Sequence, residues 1–231
     1  MFAGRNISVT HAAMAASRVM ATCAILGQAA GTAASLAIRY GITPREVGAH
    51  MNELQQTLMT DDCWLPGLRR RISDLCQKAE LSANCAQPEH LRNGLDRPEE
   101  DETGTMIDNG CYLPLGETAE YTLAEPAHVQ SVRLIFDSDL DRTTITGGID
   151  SVKDCPTICN RSADMTPFTF PATMTDTFEI LVDGEVLHRI TGNRQRLVTL
   201  PIGKTASRIA LRPISVTGAA ETAHVFSFDF Q

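Results

Sequence analysis

The chain has 231 residues, 43% hydrophobic and 21% charged, with a formal net charge of −8 at pH 7. That acidic balance argues against nucleic acid, which requires a basic stripe, and against an anionic membrane surface, which attracts polybasic segments. Seven cysteines form an odd set without repeated spacing, so no disulfide framework is indicated, although Cys155 and Cys159 are close enough in sequence to pair within a loop.

Residues 4–41, GRNISVTHAAMAASRVMATCAILGQAAGTAASLAIRYG, read as the end of a buried strand, a polar turn and one long helix. Residues 19–38 contain no charge and are dominated by Ala, Gly, Thr, Ser, Cys and Gln. At about 1.5 Å per residue this run could cross a bilayer, and Gly27 and Gly31 form a G-x-x-x-G pair. Its strongly apolar residues are few, however, and Arg18 and Arg39 flank both ends without bias. The expectation is a soluble helix buried on nearly all sides, its small residues admitting close packing on a sheet, with Gly41 as its stop. Asn6, Ser8, Thr10, His11, Ser17 and Arg18 crowd the segment ahead of the helix. Two readings of that crowding stand. Ser17 caps the helix and the rest are solvated, or the positive helix end accepts a phosphate, a carboxylate or an electron-rich ring edge.

The order G-R-N-I-S-x-T-H, then S-R-V-M-A-T-C, then G-Q-A-A-G-T-A-A resembles the carboxy-terminal flavin motif of FAD-dependent oxidoreductases, the group that includes fumarate reductase and succinate dehydrogenase flavoproteins. The resemblance implies a strand running into an FAD site at Gly4 and Arg5, with residues 8–11, including Ser8 and His11, lining it. Ser17 would stand at the start of the helix, and the backbone at Arg18, Val19 and Met20 would face the isoalloxazine N1/C2 edge and stabilise the negative charge of reduced flavin. His11 is the one residue of the motif able to act as acid or base, and a role in positioning the flavin is equally open. The G-x-G-x-x-G fingerprint of this group is missing from the chain. The pyrophosphate and adenosine site is therefore expected on an amino-terminal FAD-binding region, in the same protein or a separate chain. This chain alone is expected to bind FAD poorly and to be inactive.

In residues 42–66, Thr43, Pro44 and Glu46 predict a helix start with Thr43 as N-cap, and Asp61 and Asp62 end the run. "PREV" followed by "ELQQTLMTDDCWLPG" also resembles the segment after the flavin helix in the same enzymes. Trp64 is read as a packing residue. Residues 67–104 predict a transition, with a short helix over 68–81 and an exposed acidic loop or linker over 96–102.

From residue 105 the pattern switches to period two. Val132, Leu134 and Phe136 alternate with Ser131, Arg133 and Ile135. Phe178, Ile180 and Val182 lead into Asp183-Gly184, a hairpin signal. Further strands are expected at 197–200 and around Ile209 and Leu211. The last one sets Phe226, Phe228 and Phe230 on one face and Ser227 and Asp229 on the other. Such spacing without intervening helices predicts an antiparallel β-sandwich, jelly-roll-like, over 105–231. The stretch around residues 124–134 is similar to galactose-binding-like jelly rolls.

The fold class expected is thus α+β and multidomain. Residues 1–66 would be the carboxy-terminal fragment of an FAD-binding α/β domain, 67–104 a helical and acidic connection, and 105–231 the sandwich. Asp137, Asp139 and Asp141 form a D-x-D-x-D triplet, read as solvated acids rather than a calcium loop because the glycine and terminal Glu of such a loop are missing. Cys155 and Cys159 lack the spacing and partners of a zinc site. His128, His188 and His224 are read as surface or satisfied histidines. No metal site is expected. Two functions follow. The first is a portion of an FAD-dependent oxidoreductase transferring hydride to or from an unknown organic small molecule. The second is a non-enzymatic binding module whose sandwich holds carbohydrate or protein.

Overall fold

In the computed structural model, which describes residues 1–139 and 170–231, the chain divides into two compact units, Met1–Arg71 and Ile72–Gln231. The fold is α+β: the first unit is helical and the second an antiparallel β-sandwich.

The first unit is built on α1 (Met14–Ser17), α2 (Met20–Tyr40) and α3 (Met51–Thr60). Leu36, Ala37, Val47, Leu54, Leu58 and Cys63 form its small core, with Ala29, Ala33 and Ile42 packed against it. Only the carboxy-terminal part of α2 reaches this core: Leu36 and Ala37 are its two buried residues, which corrects the expectation of a helix buried on nearly all sides. The physical reason is partner area. A three-turn helix such as α3 covers one end of a twenty-one-residue helix, and the earlier part of α2 is at most half-buried. Polar contacts fix the hairpin: Arg39 and Tyr40 both donate to the Glu53 carboxylate at 2.8 Å, and the Tyr40 and His50 rings stack at 4.3 Å.

Gly41 stops α2 in the left-handed conformation (φ 63°). Its N–H donates to the Ile38 carbonyl and that of Ile42 to Ala37, while the Ile42 side chain closes on the core, the arrangement of a Schellman cap. At the next helix start, the Thr43 N–H and hydroxyl donate to the Glu46 carboxylate at 2.7 and 2.8 Å. The Thr43–Glu46 pair is present, but Thr43 is not the N-cap expected: the 3-10 segment Glu46–His50 that follows has Arg45 in that position, and α3 comes after it.

The second unit contains α4 (Asp74–Lys78), β1 (Glu80–Ser82), the hairpin of β2 (Glu99–Glu100) and β3 (Met106–Ile107), β4 (Cys111–Pro114), β5 (Ala119–Phe136), β6 (Thr175–Val182), β7 (Glu185–Ile190), β8 (Leu197–Val216) and β9 (Thr222–Phe230). The helix expected over 68–81 is limited to α4, where the Ser73 hydroxyl accepts the Cys76 N–H as N-cap and donates to the Phe230 carbonyl. The two strands expected near 197–200 and 209–211 are one strand, β8.

Pairing makes the sandwich. One layer runs β4, β9, the second half of β5 and the first half of β8; the other runs β1, the first half of β5, the second half of β8, β6 and β7. Both long strands therefore pass through both layers. Register explains how: Thr122 pairs with Arg208 and Ala127 with Ala206, so residues 123–126, including Pro126, stand opposite Ser207 alone. A bulge of that size, with a residue lacking an N–H, bends the strand out of one layer and into the next. The layers close on a common core in which Tyr121 meets the edges of Phe228 and Phe230 at 5.2 and 5.1 Å, and Phe136 meets Phe178 at 4.8 Å. The buried Tyr121 hydroxyl donates to the Phe228 carbonyl at 2.7 Å.

Asp183 and Gly184 both have positive φ (51° and 90°), the type I′ turn expected of an Asp-Gly hairpin between β6 and β7. The last strand departs from expectation on its polar face. Ser227 and Asp229 are buried alongside the phenylalanines, and the Ser227 hydroxyl donates to the Asp229 carboxylate at 2.8 Å. Strand pairing covers only the edges of β9; its faces are buried because the strand also packs against α4 and the 3-10 segment Pro88–Arg92.

Glycine positions in the first unit carry opposite expectations. An added Cβ at Gly41 meets no atom within 4 Å, so Gly41→Ala is penalised by the left-handed backbone alone, by about 1 kcal/mol. Gly27, within α2, is equally open, so Gly27→Ala gains about 0.5–1 kcal/mol through helix propensity. Urea unfolding followed by helical circular dichroism should move the midpoint down for the first variant and up for the second.

Candidate functional site

The segment singled out by sequence lies in the first unit, at the amino-terminal end of α2. Gly4 heads a 3-10 turn, Gly4–Asn6, with φ 65°. This corrects the expectation of a strand at Gly4 and Arg5: among the described residues no strand adjoins it, and an unpaired strand end has no ladder to hold it extended. Gly4 packs beside Cys23 in the first turns of α2, where a Cβ at Gly4 would stand 3.7 Å from Cys23 Cβ. The Cys23 thiol in turn donates to the Ser17 carbonyl at 3.5 Å. Gly4, Ser17 and the start of α2 are thereby brought together.

Ser17 does not cap α2. Its hydroxyl donates back to the Met14 carbonyl at 3.2 Å, closing the short helix α1. Arg18 breaks the helical path, and Val19 takes the N-cap position with extended backbone (φ −68°, ψ 142°) and no side-chain cap. No acidic residue occupies the first turn of α2. Its first N–H groups, from Met20 onward, therefore project from a positive helix end with no side-chain acceptor supplied by α2 itself. Arg5, Ser8, His11, Arg18, Val19 and Met20 are all exposed, and among the described residues the Ser8 and His11 side chains make no hydrogen bond. His11 sits in a turn whose Thr10 and His11 carbonyls accept from Ala13 and Met14. Further along α2, a shallow apolar groove of about 560 Å³ is lined by Ala30, Gly31, Ala34, Ile38, Ile42 and Pro44 among others.

In the second unit, a buried His–Asp pair invites a catalytic reading. His224, on β9, has Nδ1 3.0 Å from Asp137 Oδ2 and Nε2 2.8 Å from the Asn109 carbonyl, and its ring stacks on Tyr112 at 4.1 Å. Burial disfavours the charged ring, but the hydrogen bonds to Asp137 and Asn109 outweigh it and hold the pKa above its ordinary 6.5. Burial likewise works against the Asp137 carboxylate, and the His224 bond and the Asp139 N–H at 2.7 Å outweigh it, so Asp137 titrates below its ordinary 3.8. Both ring nitrogens donate in the charged state, which leaves no basic lone pair to take a proton from a substrate. The pair is a clasp between the start of β4 and the end of β5, not a general base. The reading of His224 as a satisfied histidine holds. The reading of Asp137 as a solvated acid does not, because Asp137 is committed to His224. Asp141, Cys155 and Cys159 lie outside the described residues.

A second buried pair joins Arg133 to Asp96 at 2.8 Å, and Arg196 donates to the Asp96 carbonyl. Asp96 was expected in an exposed acidic run; only the later part of that run, Glu100 in β2 and Asp101 and Glu102 in the turn to β3, is exposed. Sequence offered no signal for either pair, since partners 87 and 37 positions apart are set by strand register alone.

Residues 1–58 match the family described as FAD dependent oxidoreductase. No curated protein matches the chain. Among solved structures, the chain is similar to a GH31 CBM32-2 bound to GalNAc, at 11% identity and a TM-score of 0.43, covering 66% of this chain and 95% of that one. It is also similar to the family 32 carbohydrate-binding module from Streptococcus pneumoniae EndoD (12%, TM-score 0.40, 69% and 99%) and to the family 32 CBM from C. perfringens NanJ in complex with galactose (11%, TM-score 0.41, 69% and 97%).

The clasp sets a pH signature. Because the folded pKa of His224 is raised, its contribution is complete below the ordinary 6.5 and is lost as pH rises through the folded value. Because that of Asp137 is depressed, its contribution is complete above 3.8 and is lost as pH falls through the folded value. His224→Gln should therefore lower unfolding free energy by roughly 1–3 kcal/mol near pH 6, with the difference from the parent shrinking toward alkaline pH. Denaturant titrations across that range measure it.

Proposed function

We propose that residues 1–58 supply the flavin-facing portion of an FAD-dependent oxidoreductase of the fumarate reductase and succinate dehydrogenase flavoprotein type. The observation that carries this reading is the match of residues 1–58 to that broader oxidoreductase family, on a segment whose helix end is free of any side-chain cap. The residues present fit one end of FAD. The first turn of α2 offers N–H donors without an intrahelical acid to neutralise them, which suits the electron-rich N1/C2 edge of an isoalloxazine. They do not fit the pyrophosphate, whose glycine loop is missing from this sequence.

In this reading the backbone at Arg18, Val19 and Met20 orients the pyrimidine edge, and Gly4 and Ser17 hold that backbone against Cys23. Ser8 and His11, with no partners among the described residues, are free to contact the ring or a substrate. His11 alone in this set can hold or release a proton. A bound flavin would supply hydride transfer to or from an organic small molecule. The other half of the FAD site comes from a dinucleotide-binding region, in the same protein or a separate chain, and the sandwich is accessory to the chemistry. The exposed small-residue face of α2 agrees with a helix that other parts of a larger flavin domain cover.

Val19→Asp separates the flavin role from plain helix capping. A carboxylate at the N-cap stabilises α2 by about 1 kcal/mol. It also neutralises the positive end that would face the flavin. With the chain co-expressed with a G-x-G-x-x-G segment, the parent complex should show flavin absorbance, and Val19→Asp should weaken FAD binding about tenfold or more while the melting temperature holds or rises. A parent complex without flavin, or a variant with unchanged FAD affinity, overturns the assignment.

A further inference from the structure

Residues 93–110 form a loop whose two roots meet on the sandwich and whose far part is the β2–β3 hairpin. The roots hold each other through side-chain amides: Asn93 Nδ2 donates to Asn109 Oδ1 at 2.6 Å, and Asn109 Nδ2 donates to the Leu95 carbonyl at 2.8 Å. Different groups fix them to the sheet. The first root is held by the Arg133–Asp96 pair and by Arg196, which donates to the Asp96 carbonyl. The second is held by His224, whose Nε2 lies 2.8 Å from the Asn109 carbonyl. There the loop backbone lies directly on β9. A Cβ added at Gly110, where φ is 87°, would stand 2.6 Å from the Val225 carbonyl oxygen and 3.0 Å from His224 Nε2.

We propose that His224 is a proton-operated latch for this loop, closed while the imidazole carries two protons and released at the Asp108–Gly110 root when it carries one. The geometry sets the requirement. Nδ1 faces the Asp137 carboxylate at 3.0 Å and Nε2 faces the Asn109 carbonyl, and both of those groups only accept. A charged imidazole satisfies both. A neutral one has a single N–H, so serving either acceptor turns a ring lone pair on the other at the same short distance. The carboxylate is the stronger acceptor and keeps the remaining N–H, so the Asn109 carbonyl is the partner given up. Release is thus built into the choice of two acceptors, one of them charged, around one ring.

The groups around the ring set the direction. Burial disfavours the charged ring, while the hydrogen bonds to Asp137 and Asn109 and the charges of Asp137 and Asp108 favour it, and the balance raises its pKa above 6.5. Tyr112, on β4, stacks on one face of the ring. Phe226 tilts against it at 4.4 Å and carries Arg196 over its own ring at 5.1 Å, a charge that opposes the imidazolium and is constant with pH. The latch is therefore fully closed below the ordinary 6.5 and opens as pH rises through the raised folded value. The first root is held by arginine side chains, which keep their charge over this range, so release is confined to the second root.

The test is amide hydrogen exchange of the folded full-length chain, read by mass spectrometry at about pH 6 and about pH 9 and corrected for the intrinsic rate at each. At the higher pH, peptides covering residues 108–111 should lose protection by about tenfold, while those covering residues 94–97 and β8 keep theirs. Asp137→Asn discriminates the latch from general loosening. Its amide oxygen can keep the Asp139 N–H, and its Nδ2 can donate to the neutral ring at Nδ1, which leaves the Nε2 proton for Asn109. That variant should hold residues 108–111 protected at both pH values. Equal protection of residues 108–111 at both pH values in the parent protein overturns the proposal, as does a loss at the higher pH that β8 shares equally. So does a folded Asp137→Asn protein that loses protection at residues 108–111 at either pH.

Discussion

The second unit depends on the pairing of β5 with β8. Both strands are longer than a single twisted layer accommodates, and their shared bulge opposite Ser207 lets each serve in two layers. Everything else attaches to that pair. Strand β9 and the edge strand β4 extend one layer, β6 and β7 extend the other, and the ring cluster of Tyr121, Phe228 and Phe230 fills the space between. Because the layers share strands, they cannot slide independently. The hydrogen bond from Tyr121 to the Phe228 carbonyl ties them again at the centre of the core.

Among the described residues of this unit, the buried charges are answered by partners. Arg92 donates to the carbonyls of Cys76, Gln77 and Ala79, supplying acceptors at the end of α4 with a cation where a helix carboxy terminus favours one. Glu179, on β6, is held between Arg189 and Arg212 on the strands either side. Arg133 and Asp96, and His224 and Asp137, each pin a connecting segment to a strand. Such pairs contribute less to net stability than apolar packing of equal volume, since both ions must leave water. What they supply is position: a register slip of one residue would strand each charge without its partner.

The first unit is organised in the opposite way. Its core is small, its longest helix is bare over most of its length, and its surface contacts, such as Arg39 with Glu53, are exposed pairs worth at most about 1 kcal/mol. A sequence that keeps a long helix uncharged and rich in alanine and glycine while the structure leaves it open has a surface shaped for close approach. The match of residues 1–58 to an oxidoreductase family gives that surface a chemical context, and the uncapped helix end gives it a polarity. The stability of the two units and the proposed chemistry are thus carried by different parts of the chain.

Local patterns were legible in the sequence because local physics sets them. The long helix ending at Gly41, the Thr43–Glu46 pairing, the Asp183-Gly184 turn and the alternation of Val132, Leu134 and Phe136 each follow from propensity or period over a few residues. Class followed as well, since period-two runs without helices between them have few ways to bury their faces other than a sandwich. Tertiary structure decided the rest. It turned Gly4 and Arg5 from strand into a 3-10 turn, moved the helix start from Ser17 to Val19, merged two strands into β8, and buried Ser227 and Asp229 by packing α4 and residues 88–92 against β9. Asp96 and Asp137 acquired their neighbours the same way. Each of these outcomes depends on which segments lie side by side, and a chain folded back by antiparallel pairing brings together residues whose separation in sequence holds no trace of it.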